Sequence, residues 1–188
     1  MNRPAPLPAG LPDDAVEVGR IRDAWGIQGW FKVQAYSASP EALFSARVWH
    51  LLPPERGAKT FSGAVALDIH QVRVHGDGIV AQAGEVVDRT AAEGLKGARI
   101  FIARSAFPPL PEGEYYWVDL LGLAVLNREG VLLGEVADLL ATGPQQTLVV
   151  HRHVEGKAAE RLIPFVDAYV DTVDLAGRRI TVDWQPDY

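Results

Sequence analysis

The sequence predicts a mostly all-β protein of two small β-barrel domains, with one short helix near residues 90–97. Three observations carry that prediction. Short runs of alternating or β-branched residues recur along the chain, and glycine-bearing turns separate several of them. A proline-rich break, SAFPPLPEGE at 105–114, interrupts the pattern, because proline removes a ladder donor and restricts the residue before it. The charge balance changes at the same place: residues 1–104 hold 12 Lys/Arg against 11 Asp/Glu, and residues 105–188 hold 6 against 13.

Residues 1–14, MNRPAPLPAGLPDD, contain four prolines and read as an extended, flexible tail. They lack the apolar run of a secretory signal, and no later stretch is long enough to span a bilayer. The expectation is a cytoplasmic protein without a membrane anchor. Residues 15–104 form the first domain. Its strand-like runs are VEVGRI, WFKVQAY, RVWHLL, VALDIHQVRV, IVAQA and RIFIAR, with turns at GIQG (26–29) and HGDG (75–78). One helix interrupts them, with Thr90 and Glu93 in capping-box spacing and Gly97 ending it after Lys96.

Residues 105–113 are the linker, and 114–188 form the second domain on a closed or nearly closed sheet. Its strand-like runs are EYYWVDLL, LAVLN, LLGEVADLLAT, TLVVHRHV, RLIPFV, TVDLA and RRITVDW, with turns at NREG and LAGR and one helical turn in FVDAYV. If EYYW is a strand, Tyr115 and Trp117 share one face and Tyr116 takes the other with Val118.

Few patterns point to catalysis or to a cofactor. There is no phosphate-binding loop, and GIQG reads as a hairpin turn rather than a nucleic-acid clamp. The chain has no cysteine, so neither a disulfide nor a thiolate zinc site is available. His151, His153 and Glu155 would line one face of a strand, but two histidines do not close a tetrahedral metal site, and no metal is assigned. With scattered carboxylates and no nucleophile motif, the expectation is a protein that is not an enzyme and takes no cofactor.

Two clusters suit binding. Arg20, Arg22 and Lys32, flanked by Trp25, Trp30 and Phe31, are candidate RNA contacts, since basic residues can pair phosphates while aromatics stack bases. The alternative is that the aromatics fill the barrel and the charges are simply solvated. Tyr115, Tyr116 and Trp117 are candidate partner contacts, offering large stiff area with polar handles. Here the alternative is core and interdomain packing. The acidic second half would repel a phosphate backbone and attract a basic protein.

The run LPEGEYYWVDLLGLAVLNREGVLLGEV, with LIPFV at 162–166 and VDLAGRRITVDW at 173–184, resembles the RimM family of ribosome maturation factors. VGRIRDAWGIQGWFKV (18–33) and AEGLKGARIFI (92–102) match the same family in the same order. The resemblance implies a translation-factor-like amino-terminal barrel and a PRC-type carboxy-terminal barrel. It implies an assembly factor for the head of the small (30S) ribosomal subunit that binds ribosomal protein nineteen and supports 16S rRNA processing. A primarily rRNA-binding protein is the alternative. The family's paired tyrosines correspond to Tyr115 and Tyr116, and no feature demands more than a monomer. Pro144, Gln145, Gln146 and Thr147 replace the Ala, Asn, Asp and Val common in relatives, and Val118 replaces a histidine.

Overall fold

The computed structural model describes residues 10–36, 40–142 and 144–188. Most of the expected tail, residues 1–9, lies outside them. The chain divides into two compact units, with the boundary between Pro109 and Leu110.

The first unit runs β1 (Ala15–Trp25), β2 (Trp30–Ala35), α1 (Glu41–Ser45), β3 (Val48–Leu52), β4 (Val65–His75), β5 (Gly78–Ala83), α2 (Arg89–Glu93) and β6 (Arg99–Ala103). The six strands close into a barrel in the order β1-β2-β5-β4-β3-β6, antiparallel throughout. Closure leaves no unpaired sheet edge. Alternation decides which face is dry: Phe31 and Val33 are buried while Lys32 and Gln34 are exposed. Phe31 meets Trp49 edge-on inside the barrel, their rings 6.4 Å apart.

The GIQG segment is the β1–β2 turn. Gly26 and Gly29 have φ of 70° and 82°, a left-handed backbone that glycine adopts without steric cost. HGDG closes the β4–β5 hairpin, with His75 registered opposite Gly78.

The helix expected near 90–97 is α2, but its cap differs from the expectation. Asp88, not Thr90, is the N-cap: its Oδ1 accepts the Ala91 N–H at 2.8 Å, and Thr90 lies inside the helix. The α-helix stops at Glu93, and tight turns carry the chain onward, with Leu95 N–H donating to Ala92 O and Lys96 N–H to Glu93 O. Gly97, at φ 83°, then donates its N–H to Ile21 O at 2.9 Å, which pulls the segment off the helical path and onto β1.

The second unit contains α3 (Trp117–Leu120), β7 (Ala124–Asn127), β8 (Leu132–Thr142), β9 (Gln145–Val154), β10 (Lys157–Pro164), β11 (Val170–Asp174) and β12 (Arg179–Val182). Its sheet order is β10-β9-β8-β7-β12-β11. The β7–β12 pair is parallel and the others are antiparallel. Although β10 and β11 stand at the two ends of that order, side chains from all six strands meet in one core. Val125, Leu133, Leu148, Ile163 and Ile180 are buried there, and Val173 packs against them.

EYYWVDLL is not a strand, and this corrects the sequence expectation. Its first residues follow a turn in which Glu114 N–H donates to Pro111 O, with Gly113 at φ 83°. Tyr116 is extended and precedes the single turn α3, which Leu120 anchors in the core. Gly122, at φ 78°, then reverses the chain and donates to Val136 O at 2.8 Å. Aromatic and β-branched residues favour a strand, but two left-handed glycines and a buried leucine impose a turn on the stretch between them.

Candidate functional site

The turn into α3 separates the three aromatics much as a strand would have done. Tyr115 and Trp117 both pack on the core of the second unit, whereas Tyr116 is half-buried and is not among the side chains packed there. The Tyr115 ring meets Phe165 edge-on, with centroids 6.3 Å apart and planes at 69°. A groove opens beside that pair, lined by Tyr115, Phe165, Asp167, Val170 and Asp171. It combines an aromatic floor with carboxylates on its wall.

The carboxylates of this unit outnumber the cations, and two of the cations are turned to backbone instead. Arg152 donates to Leu132 O at 2.7 Å, and Arg161 donates to Leu133 O and Pro186 O at 3.2 and 2.9 Å. Arg128 forms a bidentate pair with Asp171, at 2.8 and 2.9 Å, and reaches Asp183 at 3.1 Å. Its hydrogen bonds hold the Asp171 carboxyl below the usual carboxylate range and push the Arg128 guanidinium up. Glu112, Glu114 and Asp167 are exposed, and among the described residues no cation pairs with them.

On the first unit, Arg20, Arg22 and Lys32 come together on the outer face of the barrel. Arg20 Nε and Arg22 Nη1 both donate to Gln34 Oε1 at 3.1 Å. Phe31 belongs to the core, but Trp30 does not: it is covered by the guanidinium of Arg73, 4.2 Å above the ring centroid. Sequence reasoning missed Arg73 because β4 lies some forty residues downstream and only the β2-β5-β4 pairing brings it alongside.

The row of His151, His153 and Glu155 does not hold together. β9 ends at Val154, and Glu155 with Gly156 forms a two-residue turn at φ 52° and 77°. His151 Nε2 instead lies 2.9 Å from Glu160 Oε2 on the neighbouring strand. Among the described residues, no group of three or more His, Asp or Glu could hold a metal ion. No helix among them is long and apolar enough to cross a membrane.

Fold and surfaces together define a class: a two-unit β-barrel protein with an acidic, aromatic groove on one unit and a cationic strip on the other. The chain matches the RimM N-terminal domain over residues 16–107 and the RimM PRC barrel domain over 117–188. It is 65% identical over 178 residues to the ribosome maturation factor RimM of Delftia acidovorans, covering 95% of this chain and 94% of that one. It is 66% identical over 183 residues to that of Paracidovorax citrulli, covering 96% of each. A solved RimM structure from Pseudomonas aeruginosa is 32% identical, covers 93% of this chain and 100% of its own, and superposes with a TM-score of 0.43. The chain belongs to the RimM family.

Proposed function

We propose that this chain is a non-catalytic ribosome assembly factor, acting in the cytoplasm as a monomer. Its second unit docks on small-subunit ribosomal protein nineteen, in the head of the immature small subunit, and so supports 16S rRNA processing. The observation that carries this reading is the acidic surface around the Tyr115–Phe165 groove, where Asp167, Glu112 and Glu114 have no cation partner among the described residues. Ribosomal proteins that neutralise RNA are basic, and complementary potential steers and selects such a partner. The relatives' shared name, ribosome maturation factor, supports the same process. No hydrolysis is required: binding one conformation of the immature head raises its population by the differential affinity.

The test is calorimetric titration of purified ribosomal protein nineteen into the wild-type chain and into Tyr115→Ala/Tyr116→Ala, with circular dichroism and melting curves on both. Tight binding that is lost in a folded double variant supports the reading. Absence of binding by the wild type removes protein nineteen as the partner and leaves the primarily rRNA-binding alternative. A variant that merely unfolds shows the tyrosines to be structural.

A further inference from the structure

The outer face of the first barrel carries a built cationic surface that the docking groove does not explain. Lys32 on β2 is registered opposite Val80 on β5, and Val80 opposite Arg73 on β4. Residues opposite one another in antiparallel strands share a face, so these three form one outward row at about 4.8 Å per strand. Val80 is only 3% exposed yet is not part of the barrel core, as expected when longer neighbouring side chains lie over it. Gln34 lies two residues along β2 from Lys32 on the same face, opposite Arg20, and its one amide oxygen holds the Arg20 and Arg22 guanidinium groups side by side.

Among the described residues, none of these four cations has a carboxylate partner. Asp23 is registered opposite Lys32, but its carboxylate is turned to Lys96 Nζ at 3.3 Å and to the Ala24 N–H at 2.8 Å. A chain with a net charge of −6 therefore keeps four unpaired cations on one face of four adjoining strands. Beside them, Trp30 lies beneath Arg73, Trp25 meets Trp30 edge-on at 6.0 Å, and His75 lies 4.9 Å from Trp25.

We propose that this strip of Arg20, Arg22, Lys32 and Arg73, with Trp25 and Trp30, binds the backbone of a single RNA strand. The Arg20–Arg22 pair, steadied by a neutral amide, presents adjacent forks to neighbouring phosphates without an internal anion to displace. The free face of the Arg73 guanidinium and the partly exposed ring of Trp25 are flat platforms on which an unstacked base can lie. An acidic peptide would use the charges but leave these platforms idle, so the combination favours RNA. The strip lies wholly within the first unit, and its test is independent of the groove around Tyr115.

The experiment is fluorescence anisotropy of a labelled single-stranded RNA of about twelve nucleotides, a length within the range of single-strand sites. The full chain is titrated at low and at near-physiological salt. It is compared with Arg20→Gln/Arg22→Gln/Lys32→Gln/Arg73→Gln and with the triple variant that retains Arg73. Four phosphate contacts predict a log–log salt slope of about −3 for the wild type, flattening toward zero in the quadruple variant with at least about a tenfold loss of affinity. The triple variant keeps Trp30 covered and should lose about two units of that slope; it carries the test if the quadruple variant melts early. Equal affinity and slope in wild type and variants would overturn the proposal. So would wild-type binding of polyglutamate as tightly as RNA, which would make an acidic peptide the occupant.

Discussion

Asp14 and Ser105 close the first barrel from its two ends: the Asp14 carboxylate Oδ2 accepts the Ser105 backbone N–H at 2.8 Å, across 91 positions of sequence. The Asp14 carbonyl accepts the Arg104 N–H at 3.0 Å, so the start of β1 is tied to the exit of β6, its partner along Ala15 and Ala103. The Ser105 backbone hydrogen bond, first among the causes, holds the Asp14 carboxyl below its ordinary range. A carboxyl with a depressed folded pKa contributes stability above its unfolded pKa and loses it as pH falls through the folded value. Asp14→Ala should therefore melt below wild type at pH 7. Melting curves repeated below about pH 3 should show the difference shrink, since an unfolded aspartate titrates near pH 3.9.

Gly29 and Gly26 bound the same turn and should respond differently to alanine. A Cβ at Gly29 would fall inside contact distance of the Val86 carbonyl oxygen, whereas one at Gly26 meets open space. Both have positive φ, which costs an L-residue about 1–2 kcal/mol. Gly26→Ala should lose about that much in urea unfolding, and Gly29→Ala should lose more because backbone must also move.

Leu148 is fully buried in the core of the second unit. Leu148→Ala should cost about 2–5 kcal/mol, the transfer energy plus the cavity left behind. Urea titration followed by fluorescence of Trp117 and Trp184 reads it, since both rings pack on that core.

Tyr115 offers a finer test. Its ring packs edge-on against Phe165, so Tyr115→Phe should leave the melting temperature nearly unchanged. Tyr115→Ala should lose the pair energy of about 0.5–1.5 kcal/mol together with buried apolar area. If Tyr115→Phe melts as low as Tyr115→Ala, the hydroxyl and not the ring contact is what matters.

Strands were the legible part of this fold because their signal is local. FKVQ at 31–34 alternates in sequence and in burial, and NREG is a turn because Asn127 Oδ1 accepts the Glu129 and Val131 N–H groups. EYYWVDLL misled because its strand propensity is also local, while Leu120 and the glycines that override it act through tertiary packing. The Asp88 cap was within reach, two residues before the serviceable but unused Thr90. Nothing local announces that β7 and β12 are parallel neighbours, since no turn joins them. Likewise Arg20, Arg22 and Lys32 could be grouped by proximity in the chain, whereas Arg73 joins them only through two intervening strand pairings.

The placement of β12 between β7 and β11 bears on the order in which this protein can be made. β6 completes the first barrel once residue 103 has emerged, joining β1 to β3, so that unit can fold while the rest is still being translated. The second sheet has no such early closure. Until residues 179–182 leave the exit tunnel, β7 and β11 lack the strand that lies between them, and the hairpins already formed expose apolar faces. Chains truncated just before residue 179 and released from the ribosome should be far more vulnerable to protease over the second half than over the first.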